Sequence, residues 1–253
     1  MIFLLGGEGF IGSAYARFFQ LNNIKFEVIN RSNYNKFIGL SCDLFINANG
    51  NSKKYLANND PKSEFQYSVS SVKNSLIDFK FKKYIFLSTS DVYPDCSSPS
   101  STKEDSVLNV MEQSTYGFHK YLAEQCVQNY ANKWLIIRQG GFVGYGLKKN
   151  PIYDILFTNK IWIHPESELQ FINTDTSAEL VMELVDLNIS NQIINLTSKG
   201  VIRLKEIIQL FNKKIEFNEA LTPLKYEIST EKASKYLNLP NTSKTITDFL
   251  KTI

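Results

Sequence analysis

Tyr116 and Lys120 are the pair in this chain best suited to move a proton. They stand four residues apart in a segment with helical apolar spacing, so both side chains lie on one helix face. An ammonium beside a phenol favours the phenolate and lowers its pKa. Such a tyrosine exchanges a proton with a carbonyl or hydroxyl near neutral pH. Upstream, Ser88-Thr-Ser-Asp91 puts a cluster of hydroxyls at the end of an apolar strand, and Thr89 can hold the same substrate oxygen. Each of these residues is bland alone. Their significance comes from a third group, the glycines Gly6, Gly9 and Gly12 of the opening GGEGFIG turn. Gly6 permits a tight turn, Gly9 lets the backbone approach a pyrophosphate, and Gly12 lets a helix pack on the strand, with Phe10 and Ile11 completing the turn. A strand–helix turn with no ligand uses the same residues, so the glycines count only in concert with the motifs downstream of them.

A second strand, at residues 25–29, ends in Asn30-Arg-Ser32. In a dinucleotide fold an acidic residue at that junction binds the ribose 2′-hydroxyl, whereas an arginine accommodates a 2′-phosphate. No Asp or Glu stands at this strand end, and Arg31 and Ser32 can both donate to a phosphate. The expected cofactor is therefore NADP(H), against the plainer reading that Arg31 only solvates a loop.

The elements that must position these groups can be read from periodicity. Strands are expected at residues 2–5, 25–29, 42–48, 84–87, 134–137 and 193–196, and near Ile215. Helices are expected at 10–21, from Pro61 to about 79, from 116 to 130, around Val181, Leu184 and Val185, at 204–211, near Lys232, and at the end of the chain. In the second of these, Phe65, Val69, Val72, Leu76 and Phe79 form one apolar stripe, read as core or a dimer contact. Little room separates the second and third strands, so any strand between them is short or absent. Residues 148–169 read as irregular, with one apolar run at 152–157. Strands alternating with helices imply an α/β class, a Rossmann-type doubly wound parallel sheet. The boundaries are 1–146 for the dinucleotide-binding domain with the catalytic residues, and 147–253 for a small, shortened substrate-binding region interleaved with late sheet elements.

Composition adds bounds. The 253 residues are 43% hydrophobic and 21% charged with a net charge of +3, ordinary for a soluble globule and no argument for nucleic acid. No apolar run approaches the ~18 residues of a membrane span, and glycines interrupt the first apolar run too early for a secretory leader. Cys42, Cys96 and Cys126 have no metal spacing and read as reduced thiols of a cytoplasmic protein, so no metal site is expected. The Asn-X-Ser/Thr triplets at Asn188, Asn195 and Asn241 read as chance. Of the two histidines, His119 is placed about 100° around the helix from Lys120 and is expected to face elsewhere.

With these motifs in order, the chain resembles the extended short-chain dehydrogenase/reductase family, which holds sugar-nucleotide epimerases, dehydratases and reductases. GGEGFIG resembles its glycine motif, STSDVY its Ser/Thr motif, and YGFHK its Tyr-x-x-x-Lys motif. RQGGFVGYG falls where the family has Arg-Pro-x-Asn-x-Tyr-Gly, and FINTDTSAEL where it has Phe-Val-His-Val-Asp-Asp. The resemblance implies Tyr116 as general acid or base, Lys120 as ribose ligand and pKa depressor, and Thr89 as holder of the reacting oxygen. It also implies Asn49 and Gly50 beside the adenosine half, Phe142 near the nicotinamide, and a homodimer through the 65–79 and 116–130 helices.

Departures from the family matter. Gly141 replaces an asparagine that often contacts sugar-nucleotide phosphates, and Leu169-Gln170 replaces a usual arginine. Lys148, Lys149, Lys160 and Lys225 could act as point charges in its place. Asp91 occupies the position of a dehydratase carboxylate, with a turn-forming carboxylate as the plainer reading. The expected function is an NADPH-dependent reductase of a keto group on a nucleotide-activated sugar, as in surface polysaccharide synthesis. The alternatives are a sugar-nucleotide epimerase or dehydratase assisted by Asp91, and a non-catalytic NADP(H)-binding protein.

Overall fold

The computed structural model describes residues 1–50, 54–211 and 214–253. The chain begins with β1 (Ile2–Leu5), α1 (Gly12–Leu21), β2 (Phe26–Ile29), α2 (Tyr34–Phe37) and β3 (Ser41–Asn47). It continues through α3 (Leu56–Asn59), α4 (Pro61–Phe65), α5 (Ser71–Asp78), β4 (Lys80–Thr89), α6 (Thr115–Tyr130) and β5 (Trp134–Gln139). The last part holds β6 (Gly141–Val143), α7 (Pro151–Phe157), β7 (Glu168–Leu169), β8 (Phe171–Asn173), α8 (Thr174–Asp186) and β9 (Gln192–Leu196). It ends with β10 (Ile202–Arg203), α9 (Leu204–Leu210), β11 (Lys225–Tyr226) and α10 (Thr242–Leu250). Among the described residues no helix is long and apolar enough to cross a membrane.

Six strands make one sheet in the order β2-β1-β3-β4-β5-β9, with parallel pairing throughout. This is the expected α/β class with a Rossmann-type sheet. Successive strand residues point to opposite faces, and the sequence uses both. Leu4, Leu44, Ile46, Ile85, Leu87, Leu135 and Ile137 pack with α1 and α8 residues on one face. Phe3, Leu5, Phe45, Tyr84, Phe86 and Ile136 pack with α5 and α6 residues on the other. The strand order reverses between β1 and β3, which opens a crevice at their carboxyl ends. β2 is the sheet edge, and the chain returns from it through the single turn of α2, so the strand expected to be short or absent is absent among the described residues.

Three expectations change. The helix from Pro61 runs through a π-turn (Gln66–Ser70) that joins α4 to α5. The extra residue of such a turn rotates the helix before it relative to the helix after it. Val69, Val72, Leu76 and Phe79 are therefore buried, whereas Phe65 leaves the stripe and is 40% exposed. The run at 152–157 is a helix, α7, started by Pro151 and by the Asn150 side chain accepting from Tyr153 N at 2.9 Å. The strand expected near Ile215 is only an isolated bridge, Lys160 to Glu216. A third core cluster, with Ile152, Phe171, Leu204 and Ile246, belongs to the last part of the chain. Asn195 is fully buried, which agrees with reading its triplet as chance.

Helix α6 carries Tyr116 and Lys120, and one glycine sets its height above the sheet. A Cβ at Gly117 would lie 2.0 Å from the Asp91 carbonyl oxygen, so α6 touches the 89–92 turn backbone to backbone. Gly117→Ala should therefore cost about 1–3 kcal/mol, read as a lowered urea midpoint. Gly140→Ala, whose Cβ would meet Thr197 Oγ1 at an ordinary 3.4 Å, is the control expected to change little.

Candidate active site and dinucleotide cleft

A cleft of about 840 Å³ opens at the β1/β3 reversal, within the ~300–1,000 Å³ usual for ligand sites. Gly6, Gly9, Asn30, Arg31, Ser32, Asn49 and Gly50 line it, as do Glu8, Tyr67 and Ser71, which the motif reading did not include. Gly6 has φ +82°, and a Cβ there would lie 2.9 Å from Asn49 N, so the two loops meet backbone to backbone. A Cβ at Gly12 would fall 2.2 Å from the Gly6 carbonyl, which seats the start of α1 directly on the turn. At Gly9 a Cβ would meet only Gly6 O, at 3.3 Å, and would otherwise fill open space above the turn. No side chain caps α1, and its first turn holds no acid. Ser13 N donates to Gly9 O at 2.8 Å and Ala14 N to Ile11 O at 3.1 Å, so the turn and the helix start are one backbone unit. The positive end of a helix without an acid, at the mouth of such a cradle, suits a phosphate. The residues present therefore fit a dinucleotide.

Phe10, Ile11 and Gly12 do not line the cleft. Ile11 packs on the main core instead. Phe142 is half-buried against that same core and is likewise not in the cleft wall. The β3 end is held by buried polar contacts. Asn47 Nδ2 donates to Tyr84 Oη at 2.7 Å, and Asn47 Oδ1 accepts from Asn49 N at 2.9 Å, which fixes the Asn49-Gly50 turn. Asn30 organises the β2 end: its Oδ1 accepts from Ser32 N, Ser32 Oγ and Asn33 N. Ser32 thus directs its proton to Asn30 at 2.7 Å rather than into the cleft. Arg31 lies 5.1 Å from the centre of the Tyr67 ring and forms no ion pair among the described residues.

At the far end, Thr89, Tyr116 and Lys120 come from β4 and α6. Lys120 is 3% exposed, and its Nζ donates to Leu87 O at 3.0 Å. That Nζ lies 4.2 Å from the centre of the Phe86 ring and 3.9 Å from where a Gly50 Cβ would stand, so it reaches the end of the cleft. Burial pushes Lys120 down to about 8, against the pull of Glu124, Glu64 and Asp91. The expected lowering of Tyr116 is reversed. Its phenol is pushed up, first by burial and then by the carboxylates of Asp91 and Glu64. Burial is the larger cause, and the Lys120 ammonium expected to offset it is turned to the Leu87 carbonyl instead. Thr89 Oγ1 donates to Asp91 Oδ2 at 2.9 Å. Lys54 Nζ lies 2.5 Å from the same oxygen and 5.9 Å from the centre of the Tyr116 ring. The Tyr226 hydroxyl lies 3.2 Å from Asp91 Oδ1 and 2.8 Å from Ser90 Oγ.

The sequence profile described as "NAD dependent epimerase/dehydratase family" matches residues 2–154, more than half of the chain. The chain belongs to this family. No curated protein matches it in sequence. Among solved structures it is similar to a UDP-galactose 4-epimerase, with 18% identity, TM-score 0.79, and coverage of 100% of this chain and 99% of that one. It is also similar to the dTDP-4-dehydrorhamnose reductase of Bacillus anthracis in complex with NADP, with 13% identity, TM-score 0.78 and coverage of 100% and 99%. A third is an NAD-dependent NDP-hexosamine 5,6-dehydratase involved in tunicamycin biosynthesis, with 14% identity, TM-score 0.76 and coverage of 100% and 98%. At these identities the likeness is one of fold.

Where this member of the family departs from its motifs, the structure gives reasons. A Cβ at Gly141 would lie 2.7 Å from Gln170 O, so no asparagine fits there. Gln170 is buried and donates to Ser198 O and Ile228 O, while its Oε1 accepts from Ile228 N at 2.7 Å, so it ties the late chain together. Of the lysines expected to replace the missing arginine, Lys225 pairs with Glu227 at 2.8 Å and Lys160 stacks over Trp162 at 4.5 Å. Lys54, which no motif marked, is a cation at the site, 2.5 Å from Asp91 Oδ2. His119 is buried beside Glu64, its Nδ1 against Oε2, while Ser68 Oγ donates to Oε1, so it does face away from the cleft. Glu124, fully buried, accepts from Arg138 and from Ser88 Oγ, joining α6 to β5 and β4.

The low pKa of Lys120 makes stability depend on pH. Its folded pKa, about 8, lies below the ordinary 10.5 of an unfolded lysine. As pH falls from 10.5 to 8, the unfolded chain takes up this proton and the folded chain does not, so stability falls. Lys120→Met removes that dependence. The stability difference between the two proteins should grow in favour of the variant across that window, by on the order of 3 kcal/mol, and stay flat below it, in urea melts at stepped pH.

Proposed function

We propose that this chain is an NADPH-dependent reductase acting on a keto group of a nucleotide-activated sugar, of the kind made for surface polysaccharides. The bound coenzyme would supply the hydride, and the remaining work falls to the chain. Tyr116, kept protonated by burial and by Asp91 and Glu64, is the general acid that donates to the carbonyl oxygen. Thr89 turns its hydroxyl from Asp91 to that oxygen, and Lys120 Nζ, at the cleft end beside Gly50, holds the ribose. Gly6, Gly9, Asn49 and Gly50 receive the rest of the dinucleotide, and Arg31, which has no carboxylate partner among the described residues, attracts the 2′-phosphate. The NADP complex of the similar reductase supports this assignment.

The observation that carries reduction over dehydration is the engagement of Asp91. Thr89 and Lys54 occupy one of its oxygens and Tyr226 the other, which leaves no free carboxylate for elimination. We further propose residues 147–253 as the substrate-binding region. A cytoplasmic homodimer is also proposed, with a seam on the helices that expose Phe65, Ile77 and Tyr130.

The test is a screen of nucleotide-linked keto sugars with NADPH, read by absorbance at the nicotinamide band. Net, stoichiometric oxidation is expected, and Tyr116→Phe should lower turnover by about 10²–10⁴ while binding coenzyme normally. Sugar isomerised or dehydrated with no net coenzyme consumption would overturn the reductase.

A further inference from the structure

The coenzyme cleft contains a charge of the wrong sign for a 2′-phosphate. Glu8 sits between Gly6 and Gly9 in the glycine turn and lines the cleft beside Asn30, Arg31 and Ser32. Its Oε1 accepts from Asn30 Nδ2 at 2.8 Å. The amide cannot be turned the other way without loss. Asn30 Oδ1 already accepts from two backbone N–H groups and the Ser32 hydroxyl, so Nδ2 must face Glu8. This fixes a carboxylate at the β2 end of the cleft. Among the described residues Glu8 forms no ion pair, and neither does Arg31, whose guanidinium instead lies against the Tyr67 ring. One uncompensated positive charge and one uncompensated negative charge therefore share the ribose end of the same cleft.

A 2′-hydroxyl is a hydrogen-bond donor that a carboxylate accepts, whereas a 2′-phosphate is an anion that a carboxylate repels. The strand position that ordinarily supplies the accepting acid holds Asn30 here. We propose that Glu8 takes that role from the glycine turn: it receives the 2′-hydroxyl of an unphosphorylated coenzyme and opposes the 2′-phosphate that Arg31 attracts. The chain then binds both coenzymes, and the opposition of these two side chains sets its preference. This rests on the reading that the cleft takes a nicotinamide dinucleotide, not on the reaction catalysed there.

The test is by binding alone. The purified chain is titrated by calorimetry with NADPH, NADH, 2′-AMP and 5′-AMP, as wild type, Glu8→Gln, Arg31→Ala and the double variant. Glutamine keeps the oxygen that Asn30 donates to, and circular dichroism and melting confirm folding. Glu8→Gln should raise the NADPH/NADH affinity ratio by on the order of ten-fold, tighten 2′-AMP and leave 5′-AMP nearly unchanged. Arg31→Ala should lower the ratio. An unchanged ratio in Glu8→Gln, with Arg31→Ala still shifting it, overturns the role of Glu8 and leaves the proposed function standing. If wild type binds neither coenzyme, both fall. If it binds them but reduces no keto sugar, only the reaction falls and the ratio is still read.

Discussion

The geometry of the site depends on a buried ion pair. Arg138 on β5 and Glu124 on α6 meet at 2.7 Å with 2% and 0% of their side chains exposed, and Ser88 on β4 donates to the same carboxylate. Removing two charges from water costs several kcal/mol per ion, repaid only when the pair is closely matched and its remaining lone pairs are satisfied. A helix joined to two adjacent strands in this way has little freedom to slide or rotate. Gly117 then lets it approach the 89–92 turn, and the same helix carries Tyr116 and Lys120. The guanidinium also lies 4.8 Å from the centre of the Tyr93 ring, whose hydroxyl donates to Asn195 on β9, so the constraint extends across the sheet.

Around this frame the charged groups compete rather than simply pair. Burial lowers the affinity of Lys120 for its proton and raises that of Tyr116, and the carboxylates of Glu64 and Asp91 push both toward keeping theirs. The phenol is thereby kept as an acid. Lys54 and Tyr226 meanwhile occupy Asp91 from outside the motif set, one from the segment after β3 and one from β11. The chemistry open to the site is set as much by what neutralises Asp91 as by the Tyr-Lys pair.

Much of this was legible in the residues because it rests on local rules. The short continuous apolar runs of the strands, the GGEGFIG turn and the i, i+4 spacing of Tyr116 and Lys120 are each written within a few consecutive positions. Contacts that join distant segments were not legible. The π-turn that turns Phe65 outward has no composition cue, and α7 was hidden in a run too short to show helical period. Tyr226 lies 135 residues from Asp91 in sequence, and Glu8 stands inside a motif whose spacing depends on its glycines alone. The expected depression of Tyr116 failed because spacing along a helix says which side chains share a face, not where a lysine's end is turned.

The two-residue strand β11 has a consequence out of proportion to its size. Glu227 N donates to Cys96 O at 2.7 Å, next to the contact of Tyr226 with Ser90 and Asp91. The late part of the chain is thus stitched to the loop just beyond β4. Anyone exchanging the second half of this chain for that of a relative would have to carry residues 90–96 across with it. A recombinant that respected only the sheet boundary would leave Asp91 facing a stranger.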